Sequence, residues 1–461
     1  MLIKFYISNF LSFNEKQEFS MTAGKSRKCP ERIFTENNLK LVKFKVIMGG
    51  NATGKSNLVE AFDFAQEMIT QGLPSGFSNK YFRQDCQNQN RLSEFAFEIL
   101  LENKHIFYGF SIILKTGSLQ HEYLYELKPS GSRKLIYDRD LQDKTFSVGG
   151  YFRKKSSIEK LLVYGEDSLS DSEILFLTIM NHGKSRMYEE NPDLAILQHL
   201  FQWFKYRLTV NDPDSMLRGY SYFSEDNLKN IASLLNALGT GITELKIVEL
   251  TADNIKSRIP TGIFNEIVSD LERRKARNPE DDTAIMIRAE KDFYTFEMNG
   301  ENNLVITSIE FCHEKKDIFF DFQEESDGTV RILDLLEILL SVSDDTIFVI
   351  DEIDRCLHPS LTTNIVKIFL DLAKQRNTQL IATSHESRLL DEDILRNDEI
   401  CFIIKDNEGK SIINPLEKRS LRSDKKVYAA LFDNTLEDLL PKYDEKKIHE
   451  TLNEERQMNA L

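Results

Sequence analysis

This sequence lacks any run of apolar residues that approaches the ~20 consecutive positions of a membrane helix. The opening residues, Met1 to Ser8, alternate apolar and polar types and are too short for the apolar core of a signal peptide. They predict a first β-strand, and the protein is expected to be cytoplasmic. There is also no heptad run, internal repeat or low-complexity linker, which argues against an extended coiled-coil arm.

Cysteines and net positive charge are also scarce. The five cysteines form no CxxC pair, so the sequence predicts free thiols in a reducing compartment and argues against a cysteine-based metal site. Acidic residues outnumber basic ones by 74 to 59, which gives a formal net charge of −15. Such a surface repels nucleic acid as a whole, so any nucleic-acid contact would need a local basic patch.

What is present is the composition of a folded globular protein, with 461 residues, 41% hydrophobic and 29% charged. Strand-like runs separated by short polar loops fill residues 94–149 and predict an antiparallel β lobe. Apolar residues at helical spacing dominate 157–240, and residues 243–322 mix strands with one charged helix. From Gly328 onward helices and strands alternate, which is typical of a parallel α/β half.

The strongest motif is Gly49-Gly50-Asn51-Ala52-Thr53-Gly54-Lys55-Ser56, which fits the phosphate-loop pattern GxxxxGK[ST]. An apolar strand precedes it and an amphipathic helix follows. Such a loop wraps a polyphosphate with backbone N–H groups, and Gly49 and Gly54 allow the close approach. Lys55 brings positive charge to the β- and γ-phosphates, Ser56 offers a hydroxyl to Mg²⁺, and the helix N-terminus adds partial positive charge. The motif therefore predicts binding of ATP with Mg²⁺.

A second motif is the apolar strand from Thr346 to Ile350, which ends in Asp351 and Glu352. Ligands of doubly wound sheets bind at the carboxyl ends of the strands, where these acids would lie. Asp351 is expected to hold Mg²⁺ through its water shell, and Glu352 to polarise the attacking water. An ordinary strand that ends in solvated acids is the alternative, and the phosphate loop makes it the weaker one.

Two further segments each allow two interpretations. His385 ends a parallel-type strand, where it is either a switch histidine that contacts the γ-phosphate or a structural or solvent-facing histidine. Ser326 and Gly328 stand at the start of a helix that leads to the carboxylate strand. They either present a hydroxyl and N–H groups to an anion or serve as a simple helix cap.

The order GGNATGKSN, ESDGTVR, FVIDEID with LHPSL, and ATSHE resembles ABC-type, AAA-family ATPases of bacterial anti-phage and abortive-infection operons. These include the ATPase subunits of retron-, Septu- and PARIS-type systems and are related to OLD-family and SMC-type heads. The opening ISNFLSFNEKQEF resembles the first strand pair of that family, and LLDEDILRNDEICFIIKDNEG resembles its closing strands. The resemblance spans nearly the whole chain but covers the helical middle only loosely.

The resemblance implies roles for matching positions. Ser326, Asp327 and Gly328 would form a degenerate signature motif that completes the ATP site of a head-to-tail partner, and Asp354 would lie in the D-loop that crosses this interface. Gln84 is the candidate Q-loop glutamine that helps to bind the metal, with Gln87 and Gln89 as alternatives. The nucleotide-binding positions implied by the motifs are Gly49, Asn51, Gly54, Lys55, Ser56, Asn57, Ser326, Gly328 and Asp354. The catalytic set is Glu352, His385 and Lys55, and the metal set is Ser56, Asp351 and Gln84.

The expected fold is therefore an α/β P-loop NTPase of the ABC-type ATPase head, with an antiparallel β lobe and a helical insertion. The predicted parts are residues 1–93, the N-terminal half of the head; 94–155, the β lobe; 156–300, a mainly helical insertion; and 301–461, the C-terminal half. Few residues follow His385, so a Toprim nuclease domain of the OLD type is not expected. Asp391 and Asp393 are predicted to be acids at a helix N-terminus rather than a metal site.

Three functional classes compete. The first is a defence ATPase that acts as a homo-oligomer and controls a separately encoded effector, such as a nuclease or toxin. The second is a DNA-repair or recombination ATPase that binds DNA directly, and the third is an oligomeric scaffold glued by ATP. The acidic charge favours the first, because the basic segments near Lys25, Arg153 and Arg273 are interpreted as solvated surface. Phe201, Trp203 and Phe204 are expected to pack in a core or a subunit interface.

Overall fold

The computed structural model describes residues 1–36, 38–212, 227–277, 284–289, 292–300, 303–314, 318–340, 345–390, 394–419, 427–428, 436, 439 and 445–458. They belong to two compact units, one of Met1–Lys205 with Thr383–Leu461 and the other of Tyr206–Ala382. Among the helices within these ranges, none combines the length and the apolar character that a membrane crossing requires.

The strands of the chain are β1 Leu2–Ser8, β2 Gln17–Ser20, β3 Ile33–Glu36, β4 Leu39–Val42, β5 Phe44–Met48, β6 Ser93–Leu101, β7 Lys104–Ile113, β8 Ser118–Leu127, β9 Arg133–Asp140, β10 Thr145–Val148, β11 Leu208–Asn211, β12 Glu244–Glu249, β13 Ile285–Ala289, β14 Asp292–Met298, β15 Leu304–Cys312, β16 Phe319–Asp321, β17 Ile347–Ile350, β18 Gln379–Thr383, β19 Ile400–Lys405 and β20 Ser411–Pro415. The α-helices are α1 Lys55–Thr70, α2 Lys155–Asp167, α3 Phe176–Asn181, α4 Ser185–Glu190, α5 Ala195–Gln202, α6 Leu228–Ala237, α7 Ala252–Lys256, α8 Thr261–Arg277, α9 Asp327–Leu340, α10 Pro359–Ala373 and α11 Glu445–Met458. Short 3-10 turns join several of them.

The first unit contains a seven-stranded sheet in the order β10-β9-β8-β7-β6-β1-β2, and every neighbouring pair in it is antiparallel. Alternate residues of its strands face the core, where Phe5 lies 4.6 Å from Phe97 and 4.1 Å from Phe62 of α1. Phe204 packs 5.0 Å from Phe97, so the predicted aromatic stripe around Trp203 contributes to this core. The predicted antiparallel β lobe is confirmed.

Strands β5, β19 and β20 of the first unit support the phosphate loop. β5, which is buried at all of its positions, pairs in parallel with β19, and β19 pairs antiparallel with β20. The chain leaves β5 at Met48, forms the loop and enters α1 directly. Helix α1 buries residues at helical spacing, among them Leu58, Phe62, Ala65 and Ile69. The strand, loop and helix of the predicted P-loop NTPase fold are therefore present.

The carboxylate strand lies in the second unit. β17 is fully buried and pairs in parallel with β11 on one side and with β18 on the other. A strand that is covered on all sides is expected to be continuously apolar, as Ile347 to Ile350 is. The segment Leu208–Asn211 falls in the stretch expected to be helical, but it forms β11. Four residues are too few to show a strand period in a sequence, and only the pairing with β17 determines their conformation.

The rest of the second unit is a five-stranded antiparallel sheet in the order β12-β15-β14-β13, with β16 on β15. One core cluster joins this sheet to α6 and α9 through residues such as Leu235, Phe311 and Leu333. A second cluster packs α8 on β14, with Phe264 against Phe296. Strands β11 to β14 thus lie inside the segment 156–300, together with its helices. The four-part division of the chain stays a prediction.

Candidate functional site

The phosphate loop has the backbone that its glycines predict. Gly49 has φ +152° and Gly54 has φ +107°, both in the region that favours glycine. A Cβ on Gly49 would lie 2.9 Å from Thr53 Oγ1 and would also collide with the carbonyl of Ile403. Ala52, with φ +58°, adopts a left-handed conformation without being glycine. The loop is therefore tightly wound, with its turns held in a conformation that other residues adopt only at a cost.

Lys55 places its charge inside this loop. Its Nζ donates to the carbonyl oxygens of Gly49, at 3.0 Å, and of Gly50, at 2.9 Å, and the residue is only 6% exposed. Ser56 and Asn51 are exposed, Ser56 on the first turn of α1 and Asn51 at the tip of the loop. A buried ammonium group, an accessible hydroxyl and a helix N-terminus lie within one turn, which is the donor set that a polyphosphate with Mg²⁺ requires.

A serine network that the sequence did not indicate fixes the loop from outside. Ser411 of β20 donates from its hydroxyl to Ser12 Oγ at 2.6 Å and also contacts the carbonyl of Thr53 at 2.5 Å. The side-chain amide of Asn57 donates to the same Ser12 Oγ at 2.6 Å. A Cβ on Gly54 would lie 2.5 Å from Ser12 Oγ and closer still to Ser411 Oγ. Asn57, predicted to bind nucleotide, therefore also supports the loop.

His385 and Gln84 belong to the same unit as the phosphate loop. The backbone N–H of Ser384 donates to the carbonyl of Ile47 at 3.1 Å, so the chain enters His385 beside β5, two residues before the loop begins. His385 is exposed. Gln84 is also exposed and lies against Gly409 in the β19–β20 turn, because a Cβ there would be 2.5 Å from Gln84 Oε1. The switch role of His385 and the metal role of Gln84 stay predictions.

The two carboxylates of the second unit follow β17 directly. Asp351 is 3% exposed, and its backbone N–H donates to the carbonyl of Asn211 at 2.9 Å. Glu352 is half-buried and has φ +47°, a left-handed conformation that is uncommon for a glutamate. Backbone strain of this kind persists only where the surroundings impose it, and it clusters at functional sites. Asp354 follows in a turn and is half-buried, and its backbone carbonyl accepts a hydrogen bond from the N–H of Leu357.

Arg331 on α9 fixes this strained turn, a role that no sequence motif indicates. Its guanidinium donates to the carbonyl oxygens of Asp351 at 2.9 Å and of Glu352 at 3.0 Å. A third bond, at 3.1 Å, reaches Asn211 Oδ1 on β11. The residue is 3% exposed, so these bonds form in a region with little water. One buried cation thus holds both carboxylate residues by their backbone carbonyls.

The candidate signature motif begins the same helix. Ser326 Oγ accepts from the N–H of Thr329 at 3.1 Å, so the helix cap is present. Gly328 lies against the turn after the carboxylates, because a Cβ there would be 3.0 Å from the carbonyl of Cys356. Just before the motif, the buried Glu325 is bound at 2.8 Å by His313. The anion-binding role of Ser326 and Gly328 stays a prediction, as does the role of Asp327.

The predicted residues therefore gather into two groups. The loop residues 49–57 lie in the first unit with His385 and Gln84, while Ser326, Gly328 and residues 351–354 lie in the second. The approach of Lys55 to Glu352 across a nucleotide stays a prediction. Asp391 and Asp393 lie outside the described residues.

Comparison with known proteins adds a family for part of the chain. Residues 204–391 match the family model described as "AAA domain, putative AbiEii toxin, Type IV TA system". The match begins just before β11 and includes the signature segment, the carboxylate strand and His385. It confirms the resemblance to AAA-family ATPases of abortive-infection type. The comparison with curated proteins gave no match.

Solved structures of SMC heads also resemble this chain. An SmcHead bound to the C-winged helix domain of ScpA is 13% identical and has a TM-score of 0.41, covering 91% of this chain and 99% of its own. The SMC head domain from Thermotoga maritima is 13% identical with a TM-score of 0.33, covering 90% and 98%. An Smc head domain with an extended coiled coil, bound to the C-terminal domain of ScpA derived from Pyrococcus furiosus, is 14% identical with a TM-score of 0.28, covering 90% and 97%.

Proposed function

We propose that the protein, of which residues 204–391 match an AAA-domain family model, binds ATP with Mg²⁺ and hydrolyses it. The observation that carries the proposal is the phosphate loop, where Lys55 is held at the carbonyls of Gly49 and Gly50 in front of the α1 N-terminus. Backbone N–H groups and the helix terminus bind the phosphates, and Lys55 neutralises their charge. Ser56 and Asp351 are the residues that would hold the Mg²⁺ ion, which supplies charge neutralisation at the phosphates when bound.

Glu352 is proposed to orient and polarise the attacking water, and His385 to contact the γ-phosphate. Arg331 supports this chemistry without touching the substrate, because it fixes the backbone from which the Asp351 and Glu352 side chains project. A half-ångström shift of a catalytic carboxylate is enough to slow a reaction substantially, so such a buried clamp matters for rate.

The active form is proposed to be a head-to-tail dimer or a higher homo-oligomer. Ser326, Gly328 and Asp354 would then reach the nucleotide of a neighbouring protomer. The position of Gly328 supports this idea, because a Cβ there would lie 3.0 Å from the Cys356 carbonyl, so the candidate signature segment lies beside the candidate D-loop turn. ATP would stabilise the oligomer and hydrolysis would reset it.

The biological role proposed is that of a regulatory subunit in an anti-phage defence system, which controls a separately encoded nuclease or toxin. The description of the matching family, an AbiEii-type toxin of a type IV toxin–antitoxin system, supports a role in abortive infection. A nuclease or toxin gene next to the gene of this protein would support the proposed role.

The decisive experiment measures steady-state ATP turnover and oligomeric state for the wild-type protein and for Glu352→Gln. We expect turnover to fall by at least about a hundredfold in the variant, while an ATP-dependent dimer accumulates in light scattering. Unchanged turnover in Glu352→Gln would remove Glu352 from the mechanism. Absence of turnover in the wild-type protein together with an ATP-stabilised oligomer would support the scaffold class instead.

A second candidate function, direct DNA binding, is favoured by one observation. Lys25, Arg27 and Lys28 are exposed on a loop whose backbone is held from below by the buried pair of Arg396 and Asp398. Arg396 donates to the carbonyls of Ser26 and Lys28, and Asp398 accepts from the N–H of Gly24 at 2.8 Å.

Duplex DNA binding should be measured at two salt concentrations for the wild-type protein and for a variant in which the three exposed cations of this loop are alanine. Salt-sensitive binding that the variant loses would support the second candidate. Equal or absent binding would leave the defence role as the better account.

A further inference from the structure

The outer face of the seven-stranded sheet carries a chain of aromatic rings that the ATPase chemistry does not use. We define the aromatic face as Tyr6, Phe107, Tyr123 and Tyr125. Ring centroids are 6.0 Å apart for Tyr6 and Phe107, 5.4 Å for Phe107 and Tyr123, and 5.8 Å for Tyr123 and Tyr125. The register places these residues on the face opposite Phe5 and Phe97, which point into the core. Phe107 is only 8% exposed, whereas Tyr6, Tyr123 and Tyr125 are half-buried. The row of rings therefore runs across β1, β7 and β8, and the three tyrosines are its partly exposed members.

The backbone is adapted to this surface. A Cβ on Gly109 would lie 2.5 Å from Tyr123 Oη and 2.8 Å from the Cβ of Ala96. The absence of a side chain at Gly109 lets the Tyr123 ring lie close to the sheet. Beside it is a hollow of about 440 Å³, which falls in the size range of ligand pockets. Only strands and connecting loops line this hollow, and no helix among the described residues contributes to it.

Carboxylates are fixed on the same face by two matching clusters. Glu98 accepts from Tyr6 Oη at 2.5 Å and is bound by His105 at 3.0 Å. Asp138 accepts from Tyr125 Oη at 3.1 Å and is bound by His121 at 3.0 Å.

Both carboxyl groups stay ionised at neutral pH. The hydrogen bond from His121 lowers the pKa of Asp138. Burial raises the pKa of Glu98, but hydrogen bonds from His105 and Tyr6 outweigh it and leave this pKa below its usual value. Glu94 and Asp140 also line the hollow, together with the basic side chains of Lys16, Arg133 and His121.

The chain's own cations show what this surface attracts. Arg133 lies over the Phe107 ring at 5.2 Å, and Lys4 and Lys16 lie over the Tyr6 ring at 5.9 and 5.6 Å. Lys16 is also paired with Glu94, and Lys4 with Glu18. The rings thus already act as cation–π acceptors at the edges of the face, next to ionised carboxylates.

We propose that the aromatic face docks an arginine-bearing segment of a partner protein, which stacks guanidinium groups on Tyr123 and Tyr125 and pairs them with the neighbouring carboxylates. Arginine fits better than lysine, because its planar guanidinium stacks on rings and binds carboxylates in a bidentate manner. A nucleic-acid strand could also stack on these rings, but the carboxylates would repel its phosphates. That the partner is the regulated effector rests on the proposed function, whereas the docking surface itself does not.

The experiment measures, by fluorescence anisotropy, the binding of a short labelled peptide of alternating arginine and serine. Its lysine twin has the same charge, and a labelled single-stranded oligonucleotide serves as the nucleic-acid probe. The proteins are the full-length wild type, the double variant Tyr123→Ala/Tyr125→Ala, the conservative double variant Tyr123→Phe/Tyr125→Phe, and Tyr164→Ala. Tyr164 is the matched control. It lies on α2 of the same unit, away from the aromatic face, and Lys184 lies over its ring at 5.0 Å.

We expect the arginine peptide to bind the wild type more tightly than the lysine twin does, and the double alanine variant to lose about tenfold in affinity. The phenylalanine variant keeps both rings and should retain most of the affinity, and Tyr164→Ala should match the wild type. Lys55→Ala should bind the peptide normally, so failure of the ATPase proposal would not affect this result. Three outcomes each overturn the inference: no peptide binding to the wild type, equal peptide binding by all variants, or Tyr123- and Tyr125-dependent binding of the oligonucleotide instead.

Discussion

The phosphate loop and the carboxylate turn reach their rigidity by opposite means. The loop is held by a network of small neutral side chains, in which Asn57 and Ser411 donate to Ser12 Oγ, and by glycines that permit close approach. The carboxylate turn is held by one buried cation, Arg331, which binds backbone carbonyls. A distributed set of neutral contacts loses little when one member is removed. A single buried guanidinium concentrates the same task in one residue, whose loss removes a donor from several buried acceptors at once.

The largest expected effect is a loss of ATP affinity when Lys55, the charged residue of the phosphate loop, is replaced. Lys55→Ala should weaken ATP binding by about a hundredfold or more, because a buried ammonium group among the phosphate-binding N–H groups has no substitute. Titration with a fluorescent ATP analogue measures this, and thermal unfolding checks that the variant is folded. ATP affinity within a few-fold of wild type would show that the loop is not the nucleotide site.

The next largest effect is expected for Arg331→Met, which should lower kcat and change the ATP affinity little. Removing the guanidinium leaves the carbonyls of Asp351 and Glu352 and the amide oxygen of Asn211 without this donor. We expect a loss of ~2–4 kcal/mol of stability and a fall in kcat of ~10-fold or more.

Arg331→Lys keeps the charge and should recover part of kcat, which a purely steric role would not predict. Chemical denaturation together with kcat and KM measurements tests both variants. A kcat equal to that of the wild type in Arg331→Met would contradict the clamp.

A glycine pair tests the neutral network of the loop. Gly54 and Gly72 have nearly the same φ, +107° and +102°. A Cβ on Gly54 would meet Ser12 and Ser411, whereas one on Gly72 would meet nothing within 4 Å. Gly54→Ala should therefore weaken ATP binding by about tenfold and cost ~1–3 kcal/mol, while Gly72→Ala shows only the cost of its positive φ. Binding titrations and thermal unfolding of both variants measure the difference. Equal behaviour of the two variants would mean that the serine network does not constrain the loop.

The smallest effect expected is a pH dependence of folding stability that arises from Glu399, next to strand β19. Burial raises the pKa of Glu399, which directly precedes β19, to about 7 from an ordinary value of 4.5. The folded protein then retains a proton that the unfolded chain releases, so this residue's contribution to stability falls as pH rises from about 4.5 to about 7.

Glu399→Gln should flatten the change of Tm with pH over this window by a few degrees. The exposed Glu408→Gln should keep the wild-type profile, since that carboxylate lies in a turn at the surface. Parallel profiles for wild type and Glu399→Gln would show that Glu399 does not take up this proton.

Some parts of the fold could be predicted from the sequence and others could not. The strand, loop and helix around Lys55, the antiparallel lobe from Ser93 onward and the buried strand before Asp351 were all predicted, because each is encoded in a short local pattern. β11 was missed, because four residues carry no period and pair only with a distant strand.

Local sequence alone determined where an anion cradle, an acidic strand end and a β lobe would form, since glycine spacing and apolar periodicity act over a few neighbouring residues. Tertiary structure alone decided which residues support them. Ser12 meets Ser411, Arg331 meets the carbonyls of residues 351 and 352, and Tyr6 meets Glu98 across many positions of chain. Contacts of this kind depend on packing and register, which bring together side chains whose separation in the sequence has no period to reveal them.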